Sequence, residues 1–132
     1  MSSAGVLDTS VFIAQESGRP LEVSLLPEQI ATTAVTLAEL TLGVLAARSA
    51  DLRAQRLGTL DAISDMAVLP VDEDAARAWA RLRIHLAESG QRVRINDLWI
   101  AAVAASRGLP VVTQDGDFDV LDGVAGVEVV RV

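Results

Sequence analysis

A central parallel sheet covered by helices, an α/β sandwich, is the fold this sequence predicts, and two observations carry that expectation. Short apolar runs of β type alternate with longer stretches of helical periodicity along the whole chain. Strands separated by helices pair in parallel, because each crossover returns the chain to the same edge of the sheet. The second observation is size: 132 residues, 51% of them apolar, suffice for one core-bearing domain and crowd out another. No internal repeat, low-complexity tract or linker interrupts the pattern, so residues 1–132 are expected to form a single domain.

Each element has its own local reason. Gly5-Val6-Leu7 is a short apolar strand running into Asp8-Thr9-Ser10, residues that favour helix caps. A short helix over 11–15 follows, then a polar connector containing Gly18 and Pro20. Residues 30–33 read as the second strand and 36–48 as a helix, opened by Thr36-Leu37-Ala38-Glu39 in the pattern of a capping box. Leu37, Leu40, Val44 and Ala47 form its core-facing stripe. Gly43, which costs a helix interior about 1 kcal/mol relative to alanine, is expected to permit close packing. Leu52, Leu57, Leu60, Ile63 and Met66 fit one helical stripe over 50–66. Residues 68–71 make the third strand, and Asp72 caps a helix reaching Ser89. After Gly90 and a connector over 91–95, Asn96-Asp97 opens an apolar helix ending near Gly108. Residues 110–113 are the fourth strand, 114–119 an acidic turn, and 127–130 the last strand.

Composition removes several chemistries. Without cysteine there is no disulfide, zinc–thiolate site or thiol nucleophile, and a reducing compartment is the simpler setting. All eleven basic residues are arginine, and the absence of lysine excludes Schiff-base chemistry, a P-loop and a response-regulator receiver. A single histidine, His85, excludes a two-histidine ribonuclease mechanism; its place near a helix end is one the dipole favours. The first residues carry no basic side chain, so no signal peptide is read. The longest uncharged apolar run, 98–105, falls far short of the ~20 residues a membrane-spanning helix needs. A soluble, cytoplasmic protein with no membrane role is expected.

The net charge of −7 is unevenly placed: residues 1–47 carry −4, 48–94 carry +1 and 95–132 carry −4. Acidic ends around an arginine-rich middle fit a cation site beside a surface for anions, and fit equally a solvated surface of mixed charge.

Four acids share a context. Asp8 and Asp115 follow strands, Glu39 lies in the first turn of a predicted helix, and Asp97 opens another, with Asp117 two residues beyond Asp115. Taken singly, each has an ordinary role: helix cap, capping-box glutamate, favourable charge at a helix start, solvated turn. Taken together, strand ends and helix starts meet at the ligand-binding edge of an open α/β sheet. Unit charges about 4 Å apart repel by ~4 kcal/mol at an effective dielectric of 20, so converging acids must bind protons or a cation. Oxygen-only donors suit Mg²⁺ or Mn²⁺. An EF-hand over Asp115, Asp117 and Asp119 is rejected, because Val120 and Gly126 stand where its glycine and glutamate belong.

Val6-Leu7-Asp8-Thr9-Ser10, Thr36-Leu37-Ala38-Glu39-Leu40 with Gly43, Asn96-Asp97, and Thr113-Gln114-Asp115 with Asp117-Phe118 resemble the PIN-domain nucleases, and within them the VapC toxins of bacterial VapBC modules. The resemblance spans the chain in order. It implies a PIN-like three-layer α/β/α sandwich and Mg²⁺-dependent endoribonuclease activity on structured RNA such as transfer or ribosomal RNA, with Mn²⁺ as substitute. It further implies Asp8, Glu39, Asp97 and Asp115 as core carboxylates, Asp117 as a fifth metal ligand, and Ser10 and Thr113 as hydroxyls that position water beside them. A VapB-type antitoxin and a homodimer are the implied partners. Leu98-Trp99 departs from the smaller residues frequent after the helix-opening aspartate.

Arg77, Arg81, Arg83, Arg92 and Arg94 fall within 18 residues and are the candidate RNA-facing surface; a solvated helix face explains them as well. Trp79 and Trp99 are expected in the core rather than as base-stacking platforms. Two other classes remain: a magnesium-dependent phosphatase, against which Ser10 stands where haloacid-type enzymes carry a second aspartate, and a non-catalytic binding module.

Overall fold

Successive strand side chains face opposite sides of a sheet, so a strand buried on both faces needs cover on both. Val6 and Leu7 in β1 (Ala4–Leu7) meet that condition, as do Val111 and Val112 in β4 (Val111–Thr113). The computed structural model describes residues 3–132. With β2 (Gln29–Thr33), β3 (Ala67–Leu69) and β5 (Val129–Arg131), these strands form one sheet in the order β3-β2-β1-β4-β5, parallel throughout.

Val6 and Val111 face α4 (Glu73–Ser89) and α5 (Ile95–Ser106), sharing a core with Leu82, Leu86, Ile100 and Phe118. On the other face, Leu7 and Val112 pack with Val11 and Phe12 of α1 (Thr9–Ser17), Leu40 of α2 (Ala34–Leu45), and Ile63 just beyond α3 (Ala50–Ala62). Helices on both sides of a parallel sheet make the expected three-layer sandwich. Gly5 is required where β1 meets its neighbours: a Cβ there would stand 2.8 Å from Val112 Cγ2 and 3.1 Å from Pro27 Cγ.

Local departures from expectation have physical causes. The cap of α2 is Thr33, whose Oγ1 accepts from the Thr36 N–H at 3.1 Å, so Thr36-Leu37-Ala38-Glu39 lies inside the helix and is no capping box. The Thr33 cap is buried, and Thr33→Ala is expected to lower stability by about 1–2 kcal/mol in urea unfolding. Leu37 is 37% exposed, outside the buried stripe of Leu40, Val44 and Ala47. Gly43 has room for a methyl group, with Arg56 Cδ at 3.8 Å; Arg56 Nη1 donates to its carbonyl at 2.6 Å. α5 begins at Ile95, which places Asn96 and Asp97 within its first turn. The acidic turn is a 3-10 helix, Gly116–Leu121, anchored by buried Phe118 and Leu121.

Candidate metal centre

β1 and β4 are adjacent where the strand order reverses, with β2 and β3 continuing to one side and β5 to the other. The crevice at the carboxyl ends of strands at such a point is where open α/β sheets bind ligands. Asp8 leaves β1, Asp115 follows β4, Glu39 projects from α2 and Asp97 from the first turn of α5. These four acids line one cleft of about 400 Å³.

Asp8 occupies the cap position of α1 but makes no side-chain cap bond. Its Oδ1 accepts instead from Ser10 Oγ at 2.7 Å. Ser10 Oγ lies 3.1 Å from Thr113 Oγ1 and accepts from the Gln114 N–H at 2.9 Å, while Thr113 Oγ1 accepts from the Asp115 N–H at 2.8 Å. Ser10 and Thr113 thus join the end of β1 to the end of β4. Asp8 is only 3% exposed, and burial raises its pKa from 3.8 to about 6; hydrogen bonds from Ser10 and Thr113 oppose the rise and the Asp115 charge adds to it.

Asp97 is also raised to about 6, first by burial, then by the charges of Asp8, Asp115 and Glu39, with Arg94 acting the other way. Its Oδ2 is buried without a hydrogen-bond partner among the described residues. One carboxylate oxygen from each of Asp97, Asp115 and Asp117 lies within 4.8 Å of the others. Asp115 keeps a local role as well, accepting the Asp117 N–H at 2.9 Å to start the 3-10 helix. Asp8 and Glu39 are outside that three-oxygen group though they line the same cleft, and Glu39 Oε1 accepts from Thr9 Oγ1 at 2.8 Å. An unpartnered buried carboxylate oxygen among repelling oxygen donors fits a hard divalent cation, with no nitrogen or sulfur ligand to favour a softer one.

Every predicted acid except Asp117 lines the cleft itself; Asp117 stands beside it through Asp97 and Asp115. The arginines divide. Arg94 lines the cleft, its Nε 4.0 Å from Asp117 Oδ2. Arg92 and Arg83 line a separate hollow with Trp79. Arg77 is paired with Glu73 at 3.4 Å and Asp74 at 3.2 Å, and Arg81 is exposed on α4, lining neither. Trp99 stacks on Trp79, ring centroids 5.0 Å apart, so the bulk following Asp97 fills the α4–α5 contact and leaves the cleft open. His85 is half-buried on α4, away from the acids lining the cleft. Sequence reasoning missed Thr9, Arg19 and Gln114 as cleft residues. Thr9 had a signal in its place between Asp8 and Ser10; Arg19, in a polar connector, had none.

Residues 5–124 match the PIN domain family. The chain is 72% identical to Ribonuclease VapC5 of Mycobacterium tuberculosis (strain ATCC 25618 / H37Rv), covering 98% of this chain and 96% of that protein. It is 39% identical to Ribonuclease VapC4 of the same strain, covering 89% and 90%. The crystal structure of VapBC-5, a VapBC toxin–antitoxin system of M. tuberculosis, contains a chain that superposes with a TM-score of 0.93 at 70% identity, covering 98% of this chain and 99% of that one. Matched along nearly its whole length, with its acids gathered at the sheet's reversal point, the chain belongs to the PIN-domain family, in its VapC branch.

Proposed function

We propose that this protein is the ribonuclease toxin of a VapBC-type toxin–antitoxin pair, acting as one PIN domain over residues 1–132. The convergence of Asp8, Glu39, Asp97 and Asp115 on one cleft, with Asp97 Oδ2 unpartnered, is the observation that carries the reading. Asp8, Asp97 and Asp115 hold Mg²⁺, or Mn²⁺ in its place, with Glu39 and Asp117 completing the donor set. When bound, the ion supplies Lewis acidity toward the scissile phosphate and toward a water molecule. Ser10, at the cleft wall, donates to Asp8 and keeps it oriented, while Thr113, fully buried behind the cleft, braces Ser10 and the Asp115 backbone instead of meeting water. Glu39, which accepts from Thr9 Oγ1, would hold its carboxylate toward the ion from the α2 side of the cleft.

The substrate class is structured RNA, transfer or ribosomal. An antitoxin of VapB type that inserts a basic side chain among these carboxylates blocks the ion and the substrate together. A second copy of the chain completes the expected homodimer. Among the described residues no helix is long and apolar enough to cross a membrane. The cysteine-free composition suits the cytoplasm, where the RNA is.

The test is cleavage of total RNA by protein stripped of antitoxin. Discrete fragments with Mg²⁺ or Mn²⁺, lost with EDTA, are expected. Hydrolysis of a phosphomonoester with intact RNA would replace this reading with a phosphatase.

A further inference from the structure

A chain of net charge −7 that binds a polyanion needs cations fixed near its acids, and two arginines line the acidic cleft: Arg94 and Arg19. They differ in one respect. Arg94 approaches Asp117 at 4.0 Å, whereas the Arg19 side chain makes no ion pair or hydrogen bond among the described residues. Arg19 is nevertheless held in place through its backbone. Gly18, with φ of 74°, ends α1 in the left-handed conformation, and the Arg19 N–H donates back to the Ala14 carbonyl at 2.9 Å. Pro20 restricts Arg19 to extended conformations. The Pro20 carbonyl then accepts from Gln114 Nε2 at 2.9 Å. Gln114 also donates from Nε2 to the Val132 carbonyl at 3.1 Å and from its backbone N–H to Ser10 Oγ at 2.9 Å. The connector after α1 is thereby fastened to the residue preceding Asp115.

We propose that Arg19 binds an RNA phosphate adjoining the one cleaved, and that Gln114 is the positioning residue that keeps it at the cleft wall. This deepens the ribonuclease reading and rests on it. A guanidinium presents a planar fork that matches two phosphate oxygens. Held on α1's connector while Arg94 stands at the start of α5, it gives the substrate backbone a cation on each of two separate elements lining the cleft. Prior ordering of the connector removes part of the entropy cost of binding.

The experiment uses the full chain, free of antitoxin, as wild type, Arg19→Gln, Arg19→Lys, Gln114→Leu and the Arg19→Gln/Gln114→Leu double variant. Binding of a fluorescein-labelled stem-loop RNA with an unpaired loop is followed by anisotropy across NaCl concentrations with Ca²⁺ replacing Mg²⁺. Cleavage is measured separately with Mn²⁺. Arg19→Gln is expected to weaken binding roughly three- to tenfold and to reduce the salt slope by about 0.7, the value for one phosphate contact on a single strand. KM rises with kcat within about twofold, and Mn²⁺ affinity holds. Arg19→Lys retains the slope. Gln114→Leu shifts KM the same way by less, and the double variant is no worse than Arg19→Gln alone. An unchanged affinity and salt slope in Arg19→Gln overturns the proposal, as does a fall in kcat together with Mn²⁺ affinity. Wild-type protein that binds RNA without cleaving it overturns the nuclease reading alone, because the Arg19 comparison still reads out; wild-type protein that binds no RNA overturns both.

Discussion

Asp8→Asn is expected to abolish RNA cleavage while making the metal-free protein more stable at neutral pH. A loss of about 10³-fold in rate corresponds to ~4 kcal/mol of transition-state stabilisation. The stability change has the opposite sign because the folded state holds Asp8 as a poor acid. Its pKa rises from 3.8 to about 6 on folding, so the folded chain binds that proton more tightly than the unfolded chain. This contribution to stability is complete below pH 3.8 and is lost as pH climbs through about 6. Fully ionised, the buried carboxylate costs at most ~3 kcal/mol. Asp97 titrates in the same direction, with a smaller effect because it is partly exposed. Asp72 works oppositely: the Ala75 N–H holds its pKa below the ordinary value, and its contribution disappears in acid. Without metal the wild type should therefore melt higher at about pH 5 than at about pH 7.5. Asp8→Asn, whose amide oxygen can still accept from Ser10, should melt several degrees above wild type at about pH 7.5 and level with it near pH 4. Thermal melts with EDTA and with Mn²⁺ check this: Mn²⁺ should raise the wild-type midpoint and leave the variant's in place. A variant less stable than wild type at neutral pH would mean that the ionised Asp8 supports the fold.

Phe118→Ala should cost about 3–5 kcal/mol, the range for emptying a fully buried aromatic site. Phe118 packs in the core beneath the sheet with Val111 and Leu121, and it sits between Asp117 and Asp119 on the 3-10 helix. One ring therefore serves two links, core density and the placement of acids. The short helix has few internal bonds to hold its shape without that anchor. Mn²⁺ affinity should drop along with the urea midpoint, read by titration calorimetry under conditions where the variant remains folded. Phe118→Leu, which retains much of the volume, should lose less of both. Lost stability with unchanged Mn²⁺ affinity would show that Asp115 and Asp117 are held independently of the core.

The alternation of strands and helices was legible because each strand is a short apolar run closed by cap or turn residues. What the sequence concealed was local competition. Thr33 and Thr36 both have a cap-forming hydroxyl, and the strand pairing of β2 up to Thr33 decides for the earlier one. The acids were legible for a physical reason: residues that end parallel strands and begin the following helices share one edge whatever their separation in sequence. Arg19 and Gln114 were not, since nothing about an arginine before a proline or a glutamine after a strand announces that the two segments meet. The five-arginine stretch was visible as charge, but its members point to different places on the fold. Arg77 had its answer in the spacing, with Glu73 and Asp74 four and three residues earlier on the same helix.

The central pairing of β1 with β4 also has a temporal consequence. β1 must wait for a partner about a hundred residues later in the chain, so Asp8 and Asp115 cannot meet until β4 has been synthesised. At 5–20 residues per second, that interval lasts on the order of ten seconds. Until β4 emerges, a nascent chain has no Asp115 to set beside Asp8, and one that stops before β4 never gains that pairing. The acidic cleft is completed only when β4 takes its place beside β1.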